Sequence, residues 1–176
     1  GSSDKTIILW RSSDGKQIRT FSGNSSGMVH LEFNSQGTSI LSVGDDGSVS
    51  CRETATGKII LNIKPDGDRF TCASFNPDGS LIVTGSRKSG ISTWDASTGE
   101  KRRDYKAVPF DIYGDKGFKY PESGTAVFSS DGQFIIAGAG DNTAILWDAE
   151  PGNEIRKYKN TRSSCTSCVT EAAITS

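Results

Sequence analysis

Apolar residues run along the chain in stretches of only three or four, such as Ile7-Ile8-Leu9-Trp10 and Leu81-Ile82-Val83, bounded by clusters of Gly, Asp, Asn and Ser. They do not recur with the 3.6-residue period of an amphipathic helix, and short runs with turn residues at both ends are the pattern of β-strands. Twenty glycines and a single methionine fit a chain of many turns and few helices. The fold class this predicts is all-β.

The strands recur in register. Three segments share a Phe, three turn residues and a Gly: "FNSQG" (Phe33 to Gly37), "FNPDG" (Phe75 to Gly79) and "FSSDG" (Phe128 to Gly132). Fifteen residues after each Gly stands a marked position, Arg52, Trp94 and Trp147, and five further on another Gly, at Gly57, Gly99 and Gly152. Trp10 followed by Gly15 keeps the second offset. A spacing held across several independent landmarks is an internal repeat, here of 42 residues with one longer interval.

Each unit reads as four strands. A strand ends at the Phe; Asn76-Pro77-Asp78-Gly79 is a type I turn, with Pro presetting φ and Gly closing it. The second strand, Leu81-Ile82-Val83, is continuously apolar and suits burial on both faces. A short polar turn leads to the strand holding the Trp position. "DASTGE" closes a hairpin to a more polar outer strand, such as Glu154-Ile155-Arg156-Lys157-Tyr158. Four strands with wet outer and dry inner members describe a blade packed face to face with its neighbours.

With "WDASTGE" at Trp94, "ILWDAE" at Ile145 to Glu150, and "GSSDKTIILW" matching "GAGDNTAILW", the chain resembles the WD-repeat β-propeller family over nearly its whole length to about residue 160. The resemblance implies a set of residues that tie each blade: a His before the first strand, an Asp six residues before Trp, a Ser or Thr, and the Trp. The implied motif residues are Asp4 and Trp10, Asp46 and Arg52, Asp66 and Lys88, Trp94 and Asp95, Asp141, Trp147 and Asp148. The His position holds Asn24 and Asp66, the second unit has Arg52 for Trp, and the third has Lys88 for Asp. Since an unpaired buried charge is costly, Asp66 is expected to face Lys88 and Arg52 to pair with Asp46; the alternative is that these positions are simply exposed. The sole histidine, His30, lies mid-strand and is expected to be a packing residue.

Composition narrows the function. Net charge is −1, so no global field favours nucleic acid or an anionic membrane. No apolar run could span a bilayer and the start does not read as a signal peptide; together with four sparse cysteines this predicts an intracellular protein, cytoplasmic or nuclear. One His leaves little for nucleophilic catalysis. Asp45-Asp46-Gly47 is a tight turn without the Asp spacing of a calcium loop. Cys165-x-x-Cys168 has no second ligand pair and reads as two small residues of a terminal strand rather than half a zinc site. Lys101-Arg102-Arg103 opens a rim strand and reads as a solvated face. No catalytic residue, metal or cofactor is expected.

The irregular interval is more informative. Eleven extra residues fall within "DYKAVPFDIYGDKGFKYPES", Asp104 to Ser123, and five of the chain's fifteen aromatics lie between Tyr105 and Tyr120. Long loops in compact folds often carry function, and exposed aromatics anchor interfaces. Tyr105, Phe110, Tyr113, Lys116, Phe118 and Tyr120 are the candidate partner-binding residues; capping of the adjacent blades is the structural alternative. The reading is a non-catalytic scaffold that binds other proteins or peptides through propeller-face loops. Its alternatives are a propeller enzyme with a carboxylate-lined channel, or a ubiquitin-ligase substrate receptor. The resemblance would give the latter an Arg two residues after Trp-Asp, where Ser97 and Glu150 stand. The units divide as a half blade (1–23), blades at 24–64, 65–107 and 124–160, the inserted loop at 104–123, and a partial strand or tail at 161–176. About three and a half blades leave sheet edges open. The ends are expected to be covered by the remainder of a longer chain, by a second copy completing the ring, or by the C-terminal segment lying beside the first strands.

Overall fold

A computed structural model describes residues 1–22, 24–64, 67–87, 90–105, 125–139 and 143–159. Among the described residues fourteen strands make four antiparallel sheets, within each of which strands pair in chain order. β1 (Ile7–Trp10) and β2 (Gln17–Phe21) form a two-stranded half-blade. Blade A holds β3 (Met28–Phe33), β4 (Ser39–Gly44), β5 (Val49–Glu53) and β6 (Ile59–Ile63). Blade B holds β7 (Phe70–Phe75), β8 (Leu81–Ser86), β9 (Ile91–Asp95) and β10 (Lys101–Tyr105). Blade C holds β11 (Ala126–Phe128), β12 (Phe134–Ala139), β13 (Thr143–Asp148) and β14 (Glu154–Lys159). The described residues contain no helix, and the architecture is a partial β-propeller.

The turns form where the sequence predicts them, and side chains do more there than composition reveals. Gly37, Gly79 and Gly132 each donate a backbone N–H to the first residue of their turn, at 2.9, 3.0 and 2.9 Å. That first residue also caps the strand beyond. Asn34 and Asn76 accept the N–H of Ser39 and Leu81 on Oδ1 at 3.0 and 2.9 Å, and Ser129 Oγ accepts from Phe134 at 3.0 Å. The second strands β4 and β8 are buried at every position but the first, on both faces, while β2 and β10 are exposed at all but their last residue.

Side chains on opposite faces of each blade build the cores between blades. Leu41, Val43, Cys51 and Leu61 of blade A meet Phe70, Phe75 and Ile82 of blade B. Val83, Ile91 and Tyr105 on the other side of blade B meet Ile135, Ile145 and Trp147 of blade C. Ile7 and Phe21 of the half-blade pack on Ile40, with Leu9, Met28 and Leu31 around them.

Two expectations are corrected. His30 is not a packing residue: its side chain is 44 % exposed, with Nε2 3.9 Å from Glu32 Oε2. The register of β3 against β4 shifts between Met28 and His30, so simple alternation does not place these side chains. Arg52 does not pair with Asp46; the partners of each are given below. Lys5 holds φ at +69°, in the place that Gly47 (φ +77°) takes one repeat later, so a lysine adopts a left-handed turn that glycine adopts without strain.

Candidate functional site

The polar residues that tie the blades differ from unit to unit. In blade B, Trp94 Nε1–H donates to Thr84 Oγ1 at 2.8 Å, Phe70 meets the indole edge-on at 5.7 Å, and Lys101 Nζ stands 5.2 Å from the ring centre. Asp95, the residue after this Trp, organises the "DASTG" hairpin. It accepts the N–H groups of Ser97 and Thr98 at 2.9 Å each, the Ser97 hydroxyl at 2.6 Å and the Arg102 guanidinium. Those bonds, the Ser97 hydroxyl foremost, hold its carboxyl far below the ordinary range. In blade C, Trp147 is fully buried beneath Tyr105 and Asp148 closes the equivalent hairpin through its backbone.

Blade A replaces the Trp by Arg52, which is only 5 % exposed. Its Nη2 donates to Asn24 Oδ1 at 2.7 Å and its Nη1 to Gly57 O at 3.4 Å, while Nε has no hydrogen-bond partner among the described residues. Burial pulls its pKa down from the usual guanidinium value. Asn24 Nδ2 in turn donates to Lys5 O at 2.7 Å, so one amide joins the half-blade's turn to blade A's buried cation. Asp46 is held instead by serines: the Ser25 hydroxyl, Ser26 Oγ at 3.0 Å, and Ser48 through Oγ at 2.7 Å and N at 3.1 Å. Asp4, one repeat earlier, takes Thr6 Oγ1 at 2.7 Å and Thr6 N at 2.9 Å in the same manner. The signal for the Arg52–Asn24 pair was in the sequence, because both replace the expected Trp and His within one unit.

Trp10 is 55 % exposed, unlike its counterparts in blades B and C. Asp66, Lys88 and Asp141 lie outside the described residues, and with them the expected Asp66–Lys88 contact. Of the candidate partner-binding residues only Tyr105 is described. It is 2 % exposed, donates its hydroxyl to Ala149 O, and meets Trp147 at 6.2 Å, which makes it part of the junction between blades B and C. Phe110, Tyr113, Lys116, Phe118 and Tyr120 lie outside the described residues.

Among the described residues no group of three or more His, Cys, Asp or Glu could hold a metal ion, and no helix is long and apolar enough to cross a membrane. Burial pushes the thiols of Cys51 and Cys72 up to about 11, so both stay protonated and unreactive at neutral pH.

The repeated four-stranded blades define a propeller-type repeat protein. The family model of the WD domain, G-beta repeat, matches residues 15–51, 57–95 and 123–148. The chain belongs to the WD-repeat family. It is 29% identical over 96 residues to pre-mRNA-processing factor 19 of Bos taurus, covering 53% of this chain and 19% of that protein. It is 30% identical over 149 residues to WD repeat-containing protein 25 of Mus musculus, covering 84% of this chain and 27% of that protein. With eukaryotic translation initiation factor 3 subunit I of Lodderomyces elongisporus it shares 23% identity over 180 residues, 90% of this chain and 49% of that protein. The chain thus spans at most about half the length of these relatives.

Proposed function

We propose that the chain is a non-catalytic protein-interaction scaffold that binds protein or peptide partners through its propeller-face loops, chiefly the insertion at 104–123. The observation that carries this reading is the contrast between the blades and the insertion. In blades B and C the aromatic side chains are engaged by the fold itself, Trp94 donating to Thr84 within its blade and Tyr105 to Ala149 O of the next. The insertion adds Phe110, Tyr113, Lys116, Phe118 and Tyr120 to the connection that follows β10. Aromatic anchors beside a Lys are the composition of an interface core with a polar rim. Relatives named as pre-mRNA-processing and translation initiation factors support a nuclear or cytoplasmic setting and a role within larger protein assemblies.

Deleting residues 108–118 tests the reading. Affinity purification with quantitative mass spectrometry should lose its specific partners while the thermal melt stays within a few degrees of the intact chain. Unchanged partners would remove the loop from the interface. Global unfolding of the deletion variant would show that the aromatics cap the blades instead.

A further inference from the structure

The outer strands of the four sheets share one irregularity. In each, one residue is passed over by the pairing with the strand before it: Ile18 in β2, Ile60 in β6, Arg102 in β10 and Ile155 in β14. A bulge of this kind sets two residues against one and re-aims a side chain. The three isoleucines are exposed, whereas Arg102 turns back onto Asp95. Single apolar residues at a surface are common, but isoleucine at the same bulge in three of four sheets is a repeated feature of the rim.

Charge sets blade A apart. In blade B the cations of the outer strand are taken up by the fold: Lys101 Nζ lies 3.0 Å from Asp104 Oδ1, Arg102 pairs with Asp95, and Arg103 donates to Pro151 O at 3.0 Å. Blade A buries Arg52 opposite Ile59, and among the described residues its guanidinium bonds only neutral groups, Asn24 Oδ1 and Gly57 O. Lys58, next to Ile59, is exposed. So is Arg19, which stands opposite Leu9 on the face of β2 that meets blade A. No carboxylate among the described residues pairs with either cation. Glu53, the one carboxylate from β5 to β6, is engaged by the Thr56 hydroxyl. A buried cation without a counter-ion, joined by two exposed ones, gives this sector a local positive field in a chain of net charge −1.

The same sector is apolar at its centre, where Ile59 and Ile60 are each 43 % exposed. They stand on the outer strand of a complete blade with a neighbour on either side, Phe21 lying against Gly57 and Leu61 beside Gly99, so no adjoining blade covers them. The geometry points to a docking surface for an acidic polypeptide segment with apolar side chains, which sets carboxylates on Lys58 and Arg19 and aliphatic groups on Ile59 and Ile60. Nucleic acid fits less well, because neither β2 nor β6 exposes an aromatic ring on which a base could stack. A membrane fits less well too, because two isoleucines offer little apolar face for insertion. This surface lies at the hairpin end of an outer strand, whereas the insertion at 104–123 continues from the far end of β10.

Peptide display tests the proposal without presuming a sequence. Random peptides of about twelve residues are selected on the intact chain, and those that also bind the Ile59→Ser/Ile60→Ser variant are subtracted. The remaining peptides should carry an excess of Asp and Glu together with apolar residues. Lys58→Ala with Arg19→Ala should weaken a selected peptide by at least about fivefold, while Ile155→Ser, at the same bulge in blade C, should leave its binding unchanged. A subtraction that leaves no enriched peptide, enriched peptides without net negative charge, or binding indifferent to Lys58 and Arg19 would each overturn the proposal. So would a uridine oligonucleotide or phosphatidylserine vesicles that bind the intact chain more tightly than any selected peptide and lose that binding in the Ile59→Ser/Ile60→Ser variant. Every substituted side chain is exposed, and a thermal melt checks that the variants fold. Should the double serine variant fail the melt, Ile60→Ser alone serves for the subtraction.

Discussion

Arg52 shows how one substitution is absorbed by a repeat. A guanidinium in the slot of an indole must keep its charge solvated by protein, because burial without hydrogen bonds costs several kcal/mol. Asn24 supplies an acceptor at 2.7 Å and anchors itself on Lys5 O, so the pair replaces a Trp-centred tie by a polar one. Asn24→Ala removes that acceptor and is expected to destabilise the chain by about 1–3 kcal/mol, seen as a lower urea midpoint. An unchanged midpoint would mean that Asn24 does not hold the cation. The sequence points to this site through the missing Trp, and charge alone suggests Asp46 as partner. It does not reveal that three serines, Ser25, Ser26 and Ser48, already surround that carboxylate, because hydroxyls leave no periodic or charge signal.

Among the elements, the turns were the most legible and the strand registers the least. Gly, Asn, Asp and Pro mark a turn by backbone preference that acts locally, so "FNPDG" can be read without its neighbours. The register shift beside Trp10, Arg52, Trp94 and Trp147, where the third strand meets the fourth, depends on pairing between strands and is silent in the sequence. The turns also make the fold sensitive to acid. The carboxyls of Asp4, Asp46, Asp78, Asp95 and Asp131 are all held below their ordinary value of 3.8, with hydrogen bonds from nearby hydroxyls and backbone N–H groups lowering each. A carboxyl with a depressed folded pKa stabilises above the unfolded value and loses that contribution as pH falls below it. The urea midpoint should therefore be flat near neutrality and drop below about pH 4. Asp46→Asn should be less stable at neutral pH and show a shallower acid limb. If the two limbs are parallel, Asp46 contributes nothing to the acid sensitivity.

Across the whole molecule, stability is built from nearest-neighbour junctions, and these are unequal. Blade B is covered on both faces, by Leu41 and Val43 on one side and Ile135 and Trp147 on the other, so its strands open only if two junctions break. Among the described residues the half-blade shows one junction, through Ile7 and Phe21, and its other face carries exposed Ile8, Trp10 and Ile18. The repeat made the number of blades legible, but not which faces would be covered, since that depends on neighbours rather than on the unit itself. In a stack of this kind a unit packed on one face opens with less free energy than one packed on both. Hydrogen exchange followed by mass spectrometry should show peptides of β1 and β2 exchanging well before those of β8 and β9 at low protein concentration. Uniform protection across all four strands would mean that the stack opens as one cooperative unit, and that the half-blade is held by more than its single visible core.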